Sequence, residues 1–239
     1  MANPRQFIPT PGPPDIVQPV RLIWLVREPA KRKARGSHHV RGPFPSIARE
    51  EQMADADVLA GVLSTTEGII RGVKPDQLEL PTPCPDYTVA TLINHMVSWN
   101  TVFADGAEQL PPRGIRADYQ ADEHAGDDFG AASQRVVQAF REGAAERLID
   151  LGNGPSPGAT LFGLMLMEYI GHGWDLAVAT DQPTPYTEIA IAAAHAAGAN
   201  MLKPEYRGAG KSFGTVVAVA DDAAPLDQLI GFLGRNPAS

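Results

Sequence analysis

A carboxylate interrupts the greasiest part of this chain. The longest apolar stretch runs from Ala159 to Met167 and meets Glu168, with Ile170 just beyond it. A lone buried carboxylate costs several kcal/mol or takes up a proton, so any fold that buries this segment must give Glu168 a partner. At helical spacing Leu161, Leu164, Met165, Glu168, His172 and Leu176 share one face. His172, one turn away, is such a partner, and a Glu-x3-His pair on one face can grip a single ion. The stretch is too short to span a membrane.

The rest of the body also carries helical periods. Val58, Val62, Thr65, Ile69 and Ile70 predict a first helix from about Ala54 to Gly72, ended by Gly72 and Pro75. The prolines of Leu80-Pro-Thr-Pro-Cys-Pro-Asp86 predict a rigid, extended connector. Thr88 is an N-cap for a second helix to about Glu108, with Val89, Leu92, Ile93, Met96, Trp99 and Phe103 as its stripe. A third helix is expected from Asp127 or Asp128 to Leu151, with Phe129, Ala132, Val136, Phe140 and Leu148 on its face. A fourth runs from Pro157 to about Thr180, and its apolarity makes it the most buried. A fifth covers Glu188 to Met201. Phe213 to Val219 reads as a short extended segment, and a last helix spans Pro225 to Gly234. The expected fold is all-α: an up-and-down helical bundle with a short helical C-terminal appendage.

A metal site needs more than two ligands. His95 flanks the stripe of the second helix and reaches the interior if helices two and four are neighbours. Two histidines and one carboxylate are the donor set of open-site zinc and non-haem iron enzymes. Asp175, one turn beyond His172, can be a fourth ligand or an acceptor that orients an imidazole N–H, and the second role is favoured. Other readings stay open on spacing alone. Glu168 and His172 can form a metal-free hydrogen-bonded pair, and His95 can be an ordinary core histidine. His124 and His195 fall in an expected loop and an Ala-rich surface helix, where solvation is the default.

Composition narrows the functional classes. Residues 1–50 hold nine Lys/Arg against Asp15, Glu28 and Glu50, a balance of +6, while the net charge of the whole chain is -8. The remainder therefore stands at -14, which disfavours nucleic-acid binding by a body that would repel phosphates. Residues 1–52, rich in proline and then in basic residues, read as a disordered or non-native extension, and residues 53–239 as the folded unit. Arg49-Glu50-Glu51-Gln52 can be encoded by a purine-rich stretch resembling a ribosome-binding site, so Met53 is the expected native start. The apolar patch Val20 to Val26 is too short for a signal peptide. The single cysteine, Cys84, excludes an internal disulfide framework and suits a reducing cytoplasm. It lies between two prolines with no histidine nearby in sequence, which favours a structural role.

Three strings carry a resemblance to a known family: Thr82-Pro-Cys-Pro-Asp-Tyr-Thr-Val89, Leu92-Ile-Asn-His95 and Glu168-x3-His172-Gly-Trp-Asp-Leu-Ala177. Together they resemble the N-terminal domain of mycothiol-dependent maleylpyruvate isomerase, in the actinobacterial metal-binding branch of the DinB-like superfamily. Phe213-Gly and Asp227-x-Leu-x-x-Phe-Leu-Gly-Arg235 are similar to the same branch. The resemblance implies a DinB-like four-helix bundle in which His95, Glu168 and His172 bind a divalent metal. Zinc is the first choice, with nickel or iron also suited to the donors. It further implies mycothiol as cosubstrate. Only a few dozen residues follow the bundle where the isomerase has a separate C-terminal domain, so the resemblance does not carry the substrate over.

The expected function is a thiol-dependent transferase or isomerase acting on small electrophiles. The alternatives are a metal-dependent hydrolase and a non-catalytic metal-binding or interaction module. The expected partners are a small-molecule thiol and an electrophile, with no nucleic acid and no membrane. Related bundles often dimerise, so a homodimer is among the expected assemblies.

Overall fold

The computed structural model describes residues 47–211 and 213–238. Among them the chain is mostly helical, with one two-stranded sheet. The helices are α1 (Ile47–Gly72), α2 (Val89–Ala107), α3 (Ala125–Arg141), α4 (Gly158–Thr180), α5 (Glu188–Met201) and α6 (Pro225–Phe232). Strands β1 (Leu148–Asp150) and β2 (Pro155–Pro157) pair antiparallel, Ile149 opposite Ser156. Helices α1 and α2 each pack against both α3 and α4, α5 lies on α4, and α6 on α5. No helix among the described residues is long and apolar enough to cross a membrane.

The expected elements recur with instructive differences. Helix α1 begins at Ile47 and passes through Met53, so Met53 does not open it. Gln52 donates to the carbonyls of Phe140 and Arg141 at the end of α3. The reading of residues 1–46 lies outside the described residues. The buried face of α1 is Ala56, Leu59, Val62, Leu63, Thr66, Ile69 and Ile70, whereas Val58 and Thr65 are only half-buried. Thr88 does cap α2: its hydroxyl accepts from Thr91 N, and the Thr91 hydroxyl accepts from Thr88 N at 2.9 Å. All six residues of the expected α2 stripe are buried.

The third helix is shorter than its period suggests. It stops at Arg141, and Gly143 takes up a left-handed conformation at φ 91° that ends it. The chain then enters β1, where Leu148 is 62% exposed and Ile149 faces the core. An apolar run this short fits either period, and the strand alternation wins here. Phe213 to Val219 forms no strand. It is held to α6 by Val217 N donating to Gly231 O at 2.9 Å, and Phe213 bridges to Arg207, just after α5.

The proline-rich connector is folded rather than extended. Pro81 and Thr88 form a bridge, Tyr87 N donates to Cys84 O at 3.0 Å, and the Thr82 hydroxyl donates to the carbonyls of Cys84 and Tyr87. The prolines stiffen a closed turn that leads directly into the α2 cap. Helix α6 ends in a second shaped turn. Gly234 at φ 90° donates to Gly231 O and Arg235 N donates to Ile230 O, each at 3.0 Å, the paired bonds of a Schellman motif. A side chain at position 234 would collide with the backbone of Gly214. The turn sends Arg235 back toward α4.

Candidate metal centre

Helix α4 is buried all round at its middle, and Glu168 and His172 lie on it one turn apart facing α2. His95 comes from the α2 side. Its Nε2 stands 2.7 Å from Glu168 Oε1, and His172 Nε2 stands 3.4 Å from the same oxygen. Ligand atoms of all three residues lie within 4.8 Å of one another. The side chains of His95, Glu168 and His172 are only 10%, 15% and 10% exposed, so a charge here is shielded from bulk water yet reachable.

The donor set fits a divalent ion. Two ligands about 2.0–2.1 Å from zinc at a tetrahedral angle stand about 3.3 Å apart. The His172–Glu168 separation is 3.4 Å already, whereas the His95–Glu168 contact of 2.7 Å is a hydrogen bond that must open slightly. Burial pushes the Glu168 carboxyl up, but the charge of His172 and the hydrogen bonds from both imidazoles outweigh it. The result is a carboxylate held well below its usual range. It is ionised, as a ligand must be. Burial alone would lower His172, but Glu168 and the bond to Asp175 push it up to about 9.

Asp175 orients His172. It is fully buried, and its Oδ2 stands 3.0 Å from His172 Nδ1, so Nδ1–H donates to it and Nε2 is left facing Glu168. Arg235 completes the chain. Its Nη2 donates to Asp175 Oδ2 at 2.9 Å, its Nε donates to Oδ1 at 3.2 Å, and its Nη1 donates to Leu233 O. Gly171 lies beneath this contact, and a methyl group there would stand 3.2 Å from Leu233 Cδ1, whose side chain would have to give slightly. Burial pushes the Asp175 carboxyl up, yet Arg235 and His172 hold it below its usual range.

Sequence reasoning missed two residues that touch this cluster. Arg235 is one, and Tyr87 is the other, its hydroxyl 3.2 Å from His95 Nδ1. Both stand in the strings that carry the family resemblance, but neither has a periodic signal that places it inside. Cys84 is also closer than expected: its thiol groups with His172 and Asp175 within 4.8 Å, although no histidine is near it in sequence. Burial pushes that thiol up to about 11, so it is protonated at neutral pH. His124 and His195 take no part. The His124 side chain is 67% exposed, and the exposed His195 stacks near Phe232.

A buried cluster of two histidines and a carboxylate between packed helices defines a class of candidate metal-binding proteins. Residues 59–177 match the family described as mycothiol maleylpyruvate isomerase N-terminal domain, and they contain all three residues. Two proteins of Mycobacterium tuberculosis are similar to the chain: the uncharacterized protein Rv0738 of strain H37Rv and the uncharacterized protein MT0763 of strain CDC 1551. Each is 33% identical over 174 residues, covering 70% of this chain and 90% of the relative. The chain belongs to the mycothiol maleylpyruvate isomerase N-terminal domain family. No solved structure matches it significantly.

Proposed function

We propose that His95, Glu168 and His172 hold one divalent ion, zinc before nickel or iron, in a DinB-like four-helix up-and-down bundle made by α1 to α4. The convergence of two Nε2 atoms on one oxygen of a buried, ionised carboxylate carries this reading. Three protein donors leave a coordination position for an exogenous ligand, as in catalytic rather than structural zinc sites. The family match supports a low-molecular-weight thiol, mycothiol, as that ligand. When bound, the ion supplies Lewis acidity that lowers the pKa of a thiol. The reaction is transfer or isomerisation of a small electrophile.

The chain's own groups supply the setting. Glu168 keeps its negative charge in an apolar interior. Asp175, held by Arg235, fixes the face that His172 presents. Trp99 packs beside His95, with ring centroids 6.5 Å apart, and helps to wall the cluster from water. The protonated Cys84 thiol is not the nucleophile. A cytoplasmic location, a homodimer and a folded unit spanning residues 53–239 accompany this reading.

Metal analysis of wild type and His95→Ala, followed by mycothiol titration of the cobalt-substituted protein, tests it. Retained metal in wild type, loss in the variant and a change in the cobalt spectrum on adding thiol are expected. Equal metal content in both proteins overturns the ligand set. An unchanged spectrum overturns the thiol and leaves the hydrolase or the non-catalytic module.

A further inference from the structure

Helix α2 presents His95 by one nitrogen to Glu168 and by the other to Tyr87. Nε2 lies 2.7 Å from Glu168 Oε1 and Nδ1 lies 3.2 Å from the Tyr87 hydroxyl. The Tyr87 ring also packs against both imidazoles, its centroid 5.1 Å from His95 and 5.8 Å from His172. The closed turn of Thr82 to Tyr87 fixes it there, with Thr82 bonded to the Tyr87 carbonyl and Pro81, Pro83 and Pro85 removing freedom before it. Among the described residues the hydroxyl has no hydrogen-bond partner besides His95.

The two ends of a neutral imidazole are complementary: one nitrogen is a donor when the other is an acceptor. An ionised carboxylate only accepts, so without an ion Nε2 carries the hydrogen and donates to Glu168, and Nδ1 of a neutral ring needs a donor. When Nε2 ligates an ion, its lone pair is used, the hydrogen sits on Nδ1, and Nδ1 needs an acceptor. A hydroxyl can serve as either.

We propose that Tyr87 is a positioning residue for the metal centre, whose hydroxyl accepts from His95 Nδ1–H when Nε2 ligates the ion. The inference rests on the ligand assignment proposed above. The N–H of a ligating imidazole carries more positive charge, so its hydrogen bond is the stronger of the two and its loss weakens metal binding. Removing such a partner typically lowers metal affinity about 10–100-fold.

Zinc titration of full-length wild type, Tyr87→Phe and Glu168→Gln tests this, together with two-bond nitrogen–proton NMR of the imidazoles in wild type. The expected result is roughly a tenfold loss of zinc affinity in Tyr87→Phe with unchanged helical content. In zinc-loaded wild type the His95 hydrogen should sit on Nδ1. A loss below about threefold in a folded Tyr87→Phe, or a loaded His95 that keeps its hydrogen on Nε2, overturns the inference. Should Tyr87→Phe not fold, zinc titration of protein carrying 3-fluorotyrosine at position 87 decides, since fluorine weakens the hydroxyl as an acceptor: unchanged zinc affinity overturns the inference. If wild type and Glu168→Gln bind zinc alike, the ligand assignment falls and the inference with it, whereas a failure confined to Tyr87 leaves that assignment standing.

Discussion

Arg235 and Asp175, separated by 60 residues in sequence, form an ion pair in which the carboxylate is wholly buried and the guanidinium is 12% exposed. The Schellman turn at Gly234 aims the arginine, and the carboxylate passes the constraint to His172 Nδ1 at 3.0 Å. The C-terminal appendage is thereby tied to the candidate centre. Arg235→Ala strands a buried charge, and the expected loss of stability is about 3–5 kcal/mol by urea unfolding. Replacing both partners by apolar groups, as in Arg235→Met with Asp175→Leu, should recover only part of it, because His172 Nδ1–H then loses its acceptor. A double variant no more stable than Arg235→Ala would show that the lost His172 bond outweighs the removal of the buried charge.

Glu168→Gln keeps the shape of the side chain and removes its charge. Two histidines then face a neutral amide, and zinc affinity should fall by at least about tenfold, read by competition with a chromogenic chelator. Free zinc at a hundred times its Kd should stabilise wild type by about 2.7 kcal/mol. At the same zinc concentration a tenfold loss leaves the variant about 1.4 kcal/mol of that gain, and a larger loss leaves less. A shift in thermal midpoint that is the same in both proteins would place the ion elsewhere.

Periodicity made α2, α4 and α5 legible because each has a long, consistent pattern and clear end signals. The same rule stretched α3 to Leu151, since the short apolar run after Gly143 satisfies a helical and an alternating period alike. The Glu168–His172 pair was legible because burial of a carboxylate demands a partner and helical geometry supplies one. That His95 faces Glu168 depends on α2 packing against α4, which no local pattern encodes and which the family resemblance supplied. Tyr87 and Arg235 were invisible for a related reason. Each is aimed by a turn, one closed by Thr82 and one by Gly234, and a turn carries no period. The nearness of Cys84 to His172 was not legible, because distance along the chain says nothing of neighbours across the fold.

The Cys84 thiol sits about two pH units above its unperturbed 9.0 because it is buried. At pH 8 its thiolate fraction should be about a hundredfold below that of the unfolded chain, and alkylation by iodoacetamide slower in proportion. The rate should keep rising tenfold per pH unit beyond pH 9, where an ordinary thiol levels off. A plateau near pH 9 with a low rate would mean steric shielding instead. The linkage has one sign. Between about pH 9 and 11 the unfolded chain releases a proton that the folded chain keeps, so this group's contribution to stability falls as pH rises through that window.

Gly173 follows His172 and admits the Tyr186 hydroxyl, which a methyl group at that position would strike. The hydroxyl bonds Thr66 Oγ1 at 3.0 Å and the Tyr169 carbonyl at 2.9 Å, in the buried seam between α1 and α4. Gly173→Ala should destabilise the protein by about 1–3 kcal/mol by overpacking and by displacing those bonds, less the small gain from alanine's better helix propensity. Tyr186→Phe alone should cost about 1 kcal/mol for its lost hydrogen bonds. In the Tyr186→Phe background the hydroxyl clash is gone and the nearest ring carbon stands 3.1 Å from the new methyl group, so Gly173→Ala should cost less than it does in wild type. A double-mutant cycle by urea unfolding measures the difference, and strict additivity would mean that Gly173 serves something other than room for Tyr186. Because the two sites touch, a coupling well above about 0.5 kcal/mol is the expected result.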